Sequence, residues 1–221
     1  MKFAKCLIIV FIILMIDQIS KIYVKTSFFY EESYEITSWF KIMFIENEGM
    51  AWGTQLPGEY GKLFLTIFRL IVTPFLGYWL WEVVGTERSN YLVAAVLLIF
   101  AGALGNIIDS VFYGVIFDQS TPTHIAVLGS ENNYGTWLHG KVVDMFYFPI
   151  WQGVLPDWIP FYGGKSFTFF NAIFNIADMA ISTGVGILIV FNKRAFAPRK
   201  TFNGAPFSDK LDDDFPFHKK E

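Results

Sequence analysis

Apolar residues fall in four long runs, and the polar residues inside those runs crowd toward one level. A membrane-spanning helix needs about 20 predominantly apolar residues. The first run covers Phe3–Val24, and its centre, Cys6–Ile16, holds no polar residue. The second covers Leu63–Val84, broken by Arg69 near its start and by Pro74. The third covers Tyr91–Asp109, with Asn106 its one strongly polar interior residue, and the fourth covers Phe169–Phe191. Lys2 and Lys5 ahead of an apolar run also resemble the start of a cleaved leader. No small-residue cleavage site follows, however, and Asp17 and Lys21 continue the helix. Between the runs, Trp39–Trp52 and Lys141–Phe148 contain β-like apolar stretches. The pattern predicts a membrane α-helical protein, a four-transmembrane-helix bundle with a small β-rich extracytoplasmic cap. The cap would come from residues 25–62 and 110–168. Residues 1–204 form one integral-membrane domain on this reading, and 205–221 a disordered, acid-rich tail.

Composition narrows the class. Hydrophobic residues make up 53% of the chain and charged residues 17%, against about 25% charged in soluble domains. A disordered chain is excluded and an ordinary soluble enzyme fits poorly. The 25 Phe, 10 Tyr and 7 Trp suit lipid-facing and interfacial surface. Net charge is −3 with no basic patch, so no nucleic-acid partner is expected. A lone cysteine excludes an internal disulfide, and three scattered histidines form no zinc motif, so no metal is expected. Lys2 and Lys5 before the first run, and Lys193, Arg194, Arg199 and Lys200 after the last, place both termini in the cytoplasm.

Carboxylates inside spanning helices cost about 2.5–3.5 kcal/mol at the centre and are functional candidates by default. Asp17 and Lys21, at i and i+4, lie near the outer end of the first span. Asn106 and Asp109 lie at the outer end of the third. Asn171, Asn175 and Asp178 are spaced to share one face of the fourth, with Asp178 two or three turns inside it. Gly102 and Gly105 allow a neighbouring backbone to approach the third helix. Asp144, within the apolar run Val142–Phe148, faces either solvent or the mouth of this polar layer. Its alternation leaves both open, and spacing alone does not bring it to Asp178. Two nearby acids in a poorly solvated site would divide the work of water activation, one protonated and one ionised. Ser20 and Lys21 are adjacent and point apart, so they form no Ser–Lys pair. G-x-S-x-G, H-E-x-x-H and phosphate-loop motifs do not occur.

Five short segments, in order, resemble the prokaryotic lipoprotein signal peptidases, or signal peptidase II. Asp17-Gln18-Ile19-Ser20-Lys21 resembles that family's D-x-x-x-K, and Asn47-Glu48-Gly49-Met50-Ala51-Trp52-Gly53 its N-x-G-x-A-F-G with Trp for Phe. The stretch Gly102–Asp109 resembles G-A-x-G-N-x-x-D, Val142-Val143-Asp144 resembles V-V-D, and Phe174–Asp178 resembles F-N-x-A-D. The resemblance implies that Asp144 and Asp178 are the catalytic aspartates. It implies Asn47, Gly49, Asn106, Asp109 and Asn175 as substrate-pocket residues, with Asp17 and Lys21 in support. It also implies cleavage just before the diacylglyceryl-modified cysteine of prolipoproteins, in a bacterial inner membrane, without a cofactor. Besides substrate and membrane lipid no partner is implied, and a monomer is expected.

Two departures stand out. Ser110 occupies the position where the family usually carries Arg. Arg69, about two turns inside the second span, is the candidate replacement, with simple snorkelling to the headgroups as the alternative. Segments 120–140 and 151–166 are apparent insertions. A reading from another class, a small proton- or ion-translocating protein with Asp17 and Asp178 as carriers, has against it the gathering of acids at one depth and the lack of an inverted repeat. A structural scaffold would leave the polar face of the fourth span unexplained.

Overall fold

The computed structural model describes residues 2–48, 60–86 and 88–197. Gly49 and the 205–221 tail, both singled out above, lie outside the described residues. Among the described residues, three helices are long and apolar enough to cross a membrane: α1 (Phe3–Lys25), α2 (Gly61–Gly85) and the segment Asn90–Ile116. The last is compound. Helix α3 (Asn90–Ile108) begins where the Ser89 side chain accepts from the Tyr91 N–H. It then widens into a π-helical turn at Asp109–Tyr113 and ends in the short α4 (Gly114–Ile116). The third span therefore runs seven residues past the Asp109 boundary expected from apolarity.

The fourth apolar run splits. Strands β5 (Ser166–Phe169) and β6 (Ile173–Phe174) take up its first part, and helix α5 occupies only Ile176–Val190, followed by α6 (Asn192–Ala195). The aromatic stretch around Phe169–Phe174 is as apolar as a helix, but Phe174 and Ile173 pair with Phe146 and Tyr147. Asn171 consequently does not lie on the helix face with Asn175 and Asp178; its Oδ1 accepts from the Tyr147 hydroxyl at 3.0 Å. Asp178 sits in the first turn of α5 rather than two or three turns inside a span.

The β-like stretches form a four-stranded antiparallel sheet in the order β1-β2-β3-β6, from β1 (Ser33–Thr37), β2 (Phe40–Asn47), β3 (Val142–Tyr147) and β6. Asp144 is opposite Ile45 in the β2–β3 register. Strands β4 (Trp151–Val154) and β5 make a separate two-stranded ribbon, which accounts for the 151–166 insertion.

Two apolar clusters hold these parts together. One, with Cys6, Val10, Leu80, Val93 and Val96, joins α1, α2 and α3. The other, with Val24, Phe44, Tyr113, Phe117, Val143 and Met145, lies under the sheet. Outward-facing residues such as Phe11, Phe75 and Ile189 are exposed, as a lipid-facing surface requires. Helices α3 and α5 pack through small residues: a Cβ on Gly102 would stand 2.2 Å from the Ala177 carbonyl oxygen. Part of the 120–140 insertion caps the π turn. Gly140 N–H donates to the Ser110 carbonyl at 2.9 Å and Leu138 N–H to Val111 at 3.2 Å. Carbonyls at the end of the span thereby find partners that the irregular winding denies them.

Candidate active site

The Lys21 ammonium is the hub of the polar layer. It is completely buried and spends its three donors on Asp17 at 2.9 Å, Asp109 at 2.8 Å and Asn106 Oδ1 at 2.9 Å. Burying charge is costly unless the ions are paired and hydrogen-bonded, and here every ammonium proton and every oxygen of both carboxylates has a partner. Asp17 Oδ1 accepts the Ala177 N–H at 2.9 Å. Gln18 donates to Asp109 at 2.9 Å and accepts from the Tyr113 hydroxyl at 3.2 Å. Asp109 also accepts the Val143 N–H at 3.3 Å. One network thus ties α1, the π turn, α5 and β3, and fixes β3 against the helix bundle. The π turn starts at Asp109 itself, which aims that carboxylate inward at Lys21 and the strand. Gln18 and Tyr113 were not singled out by motif, although Gln18 is a polar residue inside an apolar span.

Above this layer lie Asp144 and Asp178. In β3, Val143 and Met145 join the apolar cluster, so the pleat turns Asp144 to the opposite side. There it is almost fully buried. Asn175 Nδ2 donates to its Oδ1 at 2.7 Å, and Asn47 Nδ2 donates to its Oδ2. Asp178 is held by a reciprocal cap at the start of α5. The Asn175 side chain accepts the Asp178 N–H at 2.9 Å, and Asp178 Oδ2 accepts the Asn175 N–H at 3.3 Å. Asn106 Nδ2 donates to Asp178 Oδ1 at 2.8 Å. The two acids are therefore one residue apart, each touching Asn175. Burial, and next the negative charge of Asp178, push the Asp144 carboxyl well above the ordinary carboxylate range; Lys21 and the Asn175 hydrogen bond oppose that shift.

Basic groups approach from α2. Arg69 Nη1 donates to Ser110 Oγ at 3.3 Å, and Lys62 Nζ lies 3.4 Å from the same oxygen. Arg69 and Asn106, with Phe68, Thr73 and Ile181, line a cavity of about 110 Å³ between α2, α3 and α5. Of the residues expected to meet, the structure thus brings together Asp17, Lys21, Asn47, Arg69, Asn106, Asp109, Asp144, Asn175 and Asp178.

A sequence profile described as signal peptidase (SPase) II matches residues 9–193. The chain belongs to the signal peptidase II family. It is 45% identical over 183 residues to a lipoprotein signal peptidase of Porphyromonas gingivalis, covering 82% of this chain and 80% of that one. It is 42% identical over 159 residues to a lipoprotein signal peptidase of Amoebophilus asiaticus, covering 72% and 63%. A bacterial membrane enzyme structure solved by the in meso method at 2.3 Å shares the fold, with TM-score 0.57, 22% identity and coverage of 90% and 94%. In the frame of signal peptidase II, the site described above lies where α1, α2, α3 and α5 meet a small sheet, in a bacterial membrane protein.

Proposed function

We propose that this signal peptidase II family member is an aspartic-type endopeptidase that cleaves prolipoproteins just before their diacylglyceryl-modified cysteine. Removal of signal peptides follows from the family. The aspartic mechanism is supported above all by one observation: Asn175 contacts both Asp144 and Asp178, which keeps two carboxyls together in a buried site.

The pair shares one proton, carried by Asp144, whose burial disfavours charge. Asp178, in the first turn of α5, is the base. Asp178 takes a proton from water as the oxygen attacks the scissile carbonyl carbon. Asp144 donates its proton to the carbonyl oxygen. As the resulting diol collapses, Asp144 takes back a hydroxyl proton, the C–N bond breaks, and the proton held by Asp178 passes to the departing cysteine nitrogen. The products are the free signal peptide and a lipoprotein beginning with the modified cysteine. Asn47, Asn106 and Asn175 hold the acids, while the Asp17–Lys21–Asp109 layer supports β3 behind them. Arg69 serves the side of the pocket next to Ser110. The substrate's acyl chains keep the bond at the membrane surface, which supplies proximity.

On this reading the chain is a four-span bundle in the bacterial inner membrane, α5 being the short fourth span. Both termini are cytoplasmic, and the sheet caps the site on the outer side. It works as a monomer on substrate and lipid alone, with no cofactor. Ion translocation has no such support, because the carboxylates form one closed layer rather than a path. Incubation of the purified protein with a diacylglyceryl-modified and an unmodified prolipoprotein tests the proposal. Cleavage of the modified form alone is expected; cleavage of neither, or of both equally, overturns it.

A further inference from the structure

Two lysines that the reaction does not use are buried beside the site. Lys25, at the C-terminal end of α1, is fully buried. It pairs with the Glu46 carboxylate, donates to Ser120 Oγ at 2.9 Å, and lies 5.2 Å from the Phe117 ring centre and 5.0 Å from that of Tyr134. Lys62, in the first turn of α2, is 8% exposed and donates to the Glu48 carbonyl at 2.9 Å. Glu46 and Glu48 flank Asn47, whose amide donates to Asp144. Burying an ammonium is expensive, and both of these point at the same three-residue stretch from two different helices.

The stretch needs holding. Asn47 is the last residue of β2, opposite Val142 of β3. The end of a strand opens more readily than its middle. The register between β2 and β3 is already irregular between Ile42 and Ile45, so the ladder alone does not fix how far Asn47 reaches toward Asp144.

We infer that Lys25 and Lys62 are positioning residues, which pin the end of β2 on both sides of Asn47 and so hold its amide on Asp144. The inference rests on the reading of Asp144 as catalytic. It also gives the 120–140 insertion a task, since its Ser120 and Tyr134, with Phe117 just before it, build the enclosure that keeps the Lys25 ammonium on Glu46.

The test measures kcat/KM against pH on a diacylglyceryl-modified prolipoprotein for Asn47→Ala, Lys62→Met, and the pair Lys25→Met with Glu46→Gln, which leaves no lone buried charge. Displacing a reacting group by about 1 Å costs on the order of 100-fold, and each lysine variant should lose activity on that scale. Asn47 donates to the Asp144 carboxylate and favours its ionised form. Without that donation, Asp144 keeps its proton to higher pH, and the alkaline limb of the profile should move upward. The other groups acting on Asp144, namely Asp178, Asp109, Lys21 and Asn175, are unchanged in all variants.

Adding Asn47→Ala to either lysine variant should cost little further, because both act through one contact. Lys62→Arg, which keeps a donor and the charge, should restore most of the rate. Losses that multiply with that of Asn47→Ala, an unmoved alkaline limb, or wild-type activity in the lysine variants would each overturn the inference. If a Met variant fails to fold, Ser120→Ala and Lys62→Gln supply the same comparison in milder form. An Asp144→Asn variant separates the two readings. Full turnover there sinks the catalytic assignment itself, whereas its inactivity beside normal lysine variants sinks only the positioning role.

Discussion

Asn175 donates its side-chain amide to Asp144 Oδ1 at 2.7 Å while its own side-chain oxygen caps the Asp178 N–H at 2.9 Å. One residue thus starts helix α5 and sets the distance from that helix to strand β3. The two duties separate by substitution. Serine is a good N-cap and keeps α5 anchored, but it cannot reach Asp144 with a donor. Asn175→Ser should therefore fold with near-normal thermal stability yet lose about 100-fold or more in cleavage, in keeping with misplacement of a reacting group. Asn175→Ala should in addition lose about 1 kcal/mol of stability from the missing cap. Detergent-phase melting beside single-turnover cleavage distinguishes them.

Asp144→Asn and Asp178→Asn should each abolish cleavage while the protein still inserts. Asparagine keeps the shape but neither accepts a proton from water nor supplies an acidic one. The expected loss is several orders of magnitude, about 10⁴-fold, as for removal of other essential acid or base groups. A tenth of the parent turnover in either purified variant would remove that residue from the pair.

Much of this arrangement is legible in the chain itself. The first three spans follow from unbroken apolar runs, and the Asp17–Lys21 pair from its i, i+4 spacing. The fourth apolar run, Phe169–Phe191, begins ahead of its helix because Phe169–Phe174 is rich in apolar residues that suit either conformation, and periodicity does not separate a buried strand from a helix there. The Asn175-x-x-Asp178 spacing was the better boundary signal, a capping pair just ahead of an apolar run. That Asp144 meets Asp178 through Asn175 depends on β3 lying against the start of α5, a contact between distant parts of the chain. By sequence Lys25 is a charge at the end of an apolar run. Its enclosure comes from Phe44, Phe117 and Tyr134, which no local pattern connects.

The pH profile should carry the mark of a buried acid. Asp144 works protonated, and burial together with the Asp178 charge holds its carboxyl well above the usual range, which for aspartate centres near 3.9. Activity should thus persist far above pH 4 and fall only where Asp144 gives up its proton. As the two acids are coupled, the limbs belong to the pair. Asn106→Ala removes a donor from Asp178 and should cost about 100-fold in cleavage, the scale of misplacing a reacting group. Parent-level cleavage in that variant would show that Asp178 needs no positioning by Asn106.

Gly140 is a steric constraint on the site. A Cβ there would stand 2.0 Å from the Asp109 carbonyl oxygen and 3.0 Å from the backbone nitrogens of Tyr113 and Gly114. None of these is a flexible side-chain end, so Gly140→Ala must displace the π turn and with it Asp109. Cleavage should collapse and the melting temperature fall. Gly186, inside α5 with nothing within 4 Å of its would-be Cβ, makes the control. Gly186→Ala should retain activity and gain about 0.5–1 kcal/mol from helix propensity.

The remaining question is what provides positive charge beside Ser110. Serine neither reaches as far as an arginine nor offers a fixed fork of donors. Arg69 Nη1 stands 3.3 Å from Ser110 Oγ, and the carboxylates of Asp178, Asp109 and Asp144 all act on the Arg69 guanidinium. An arginine that merely snorkelled would leave the bundle for the headgroups; this one instead lines the cavity that also contains Asn106. Its place suits contact with a substrate carbonyl on the α2 side of the acids. Arg69→Ala should therefore reduce kcat/KM by about 100-fold or more, the scale of losing one preorganised donor. Adding Ser110→Arg should return part of that loss, since the new guanidinium starts from the position Arg69 reaches across to. Arg69→Lys should recover less, because an ammonium lacks the planar fork. Unchanged turnover in Arg69→Ala would leave the residue as a lipid-facing anchor and Ser110 without a partner from α2 that matters to catalysis.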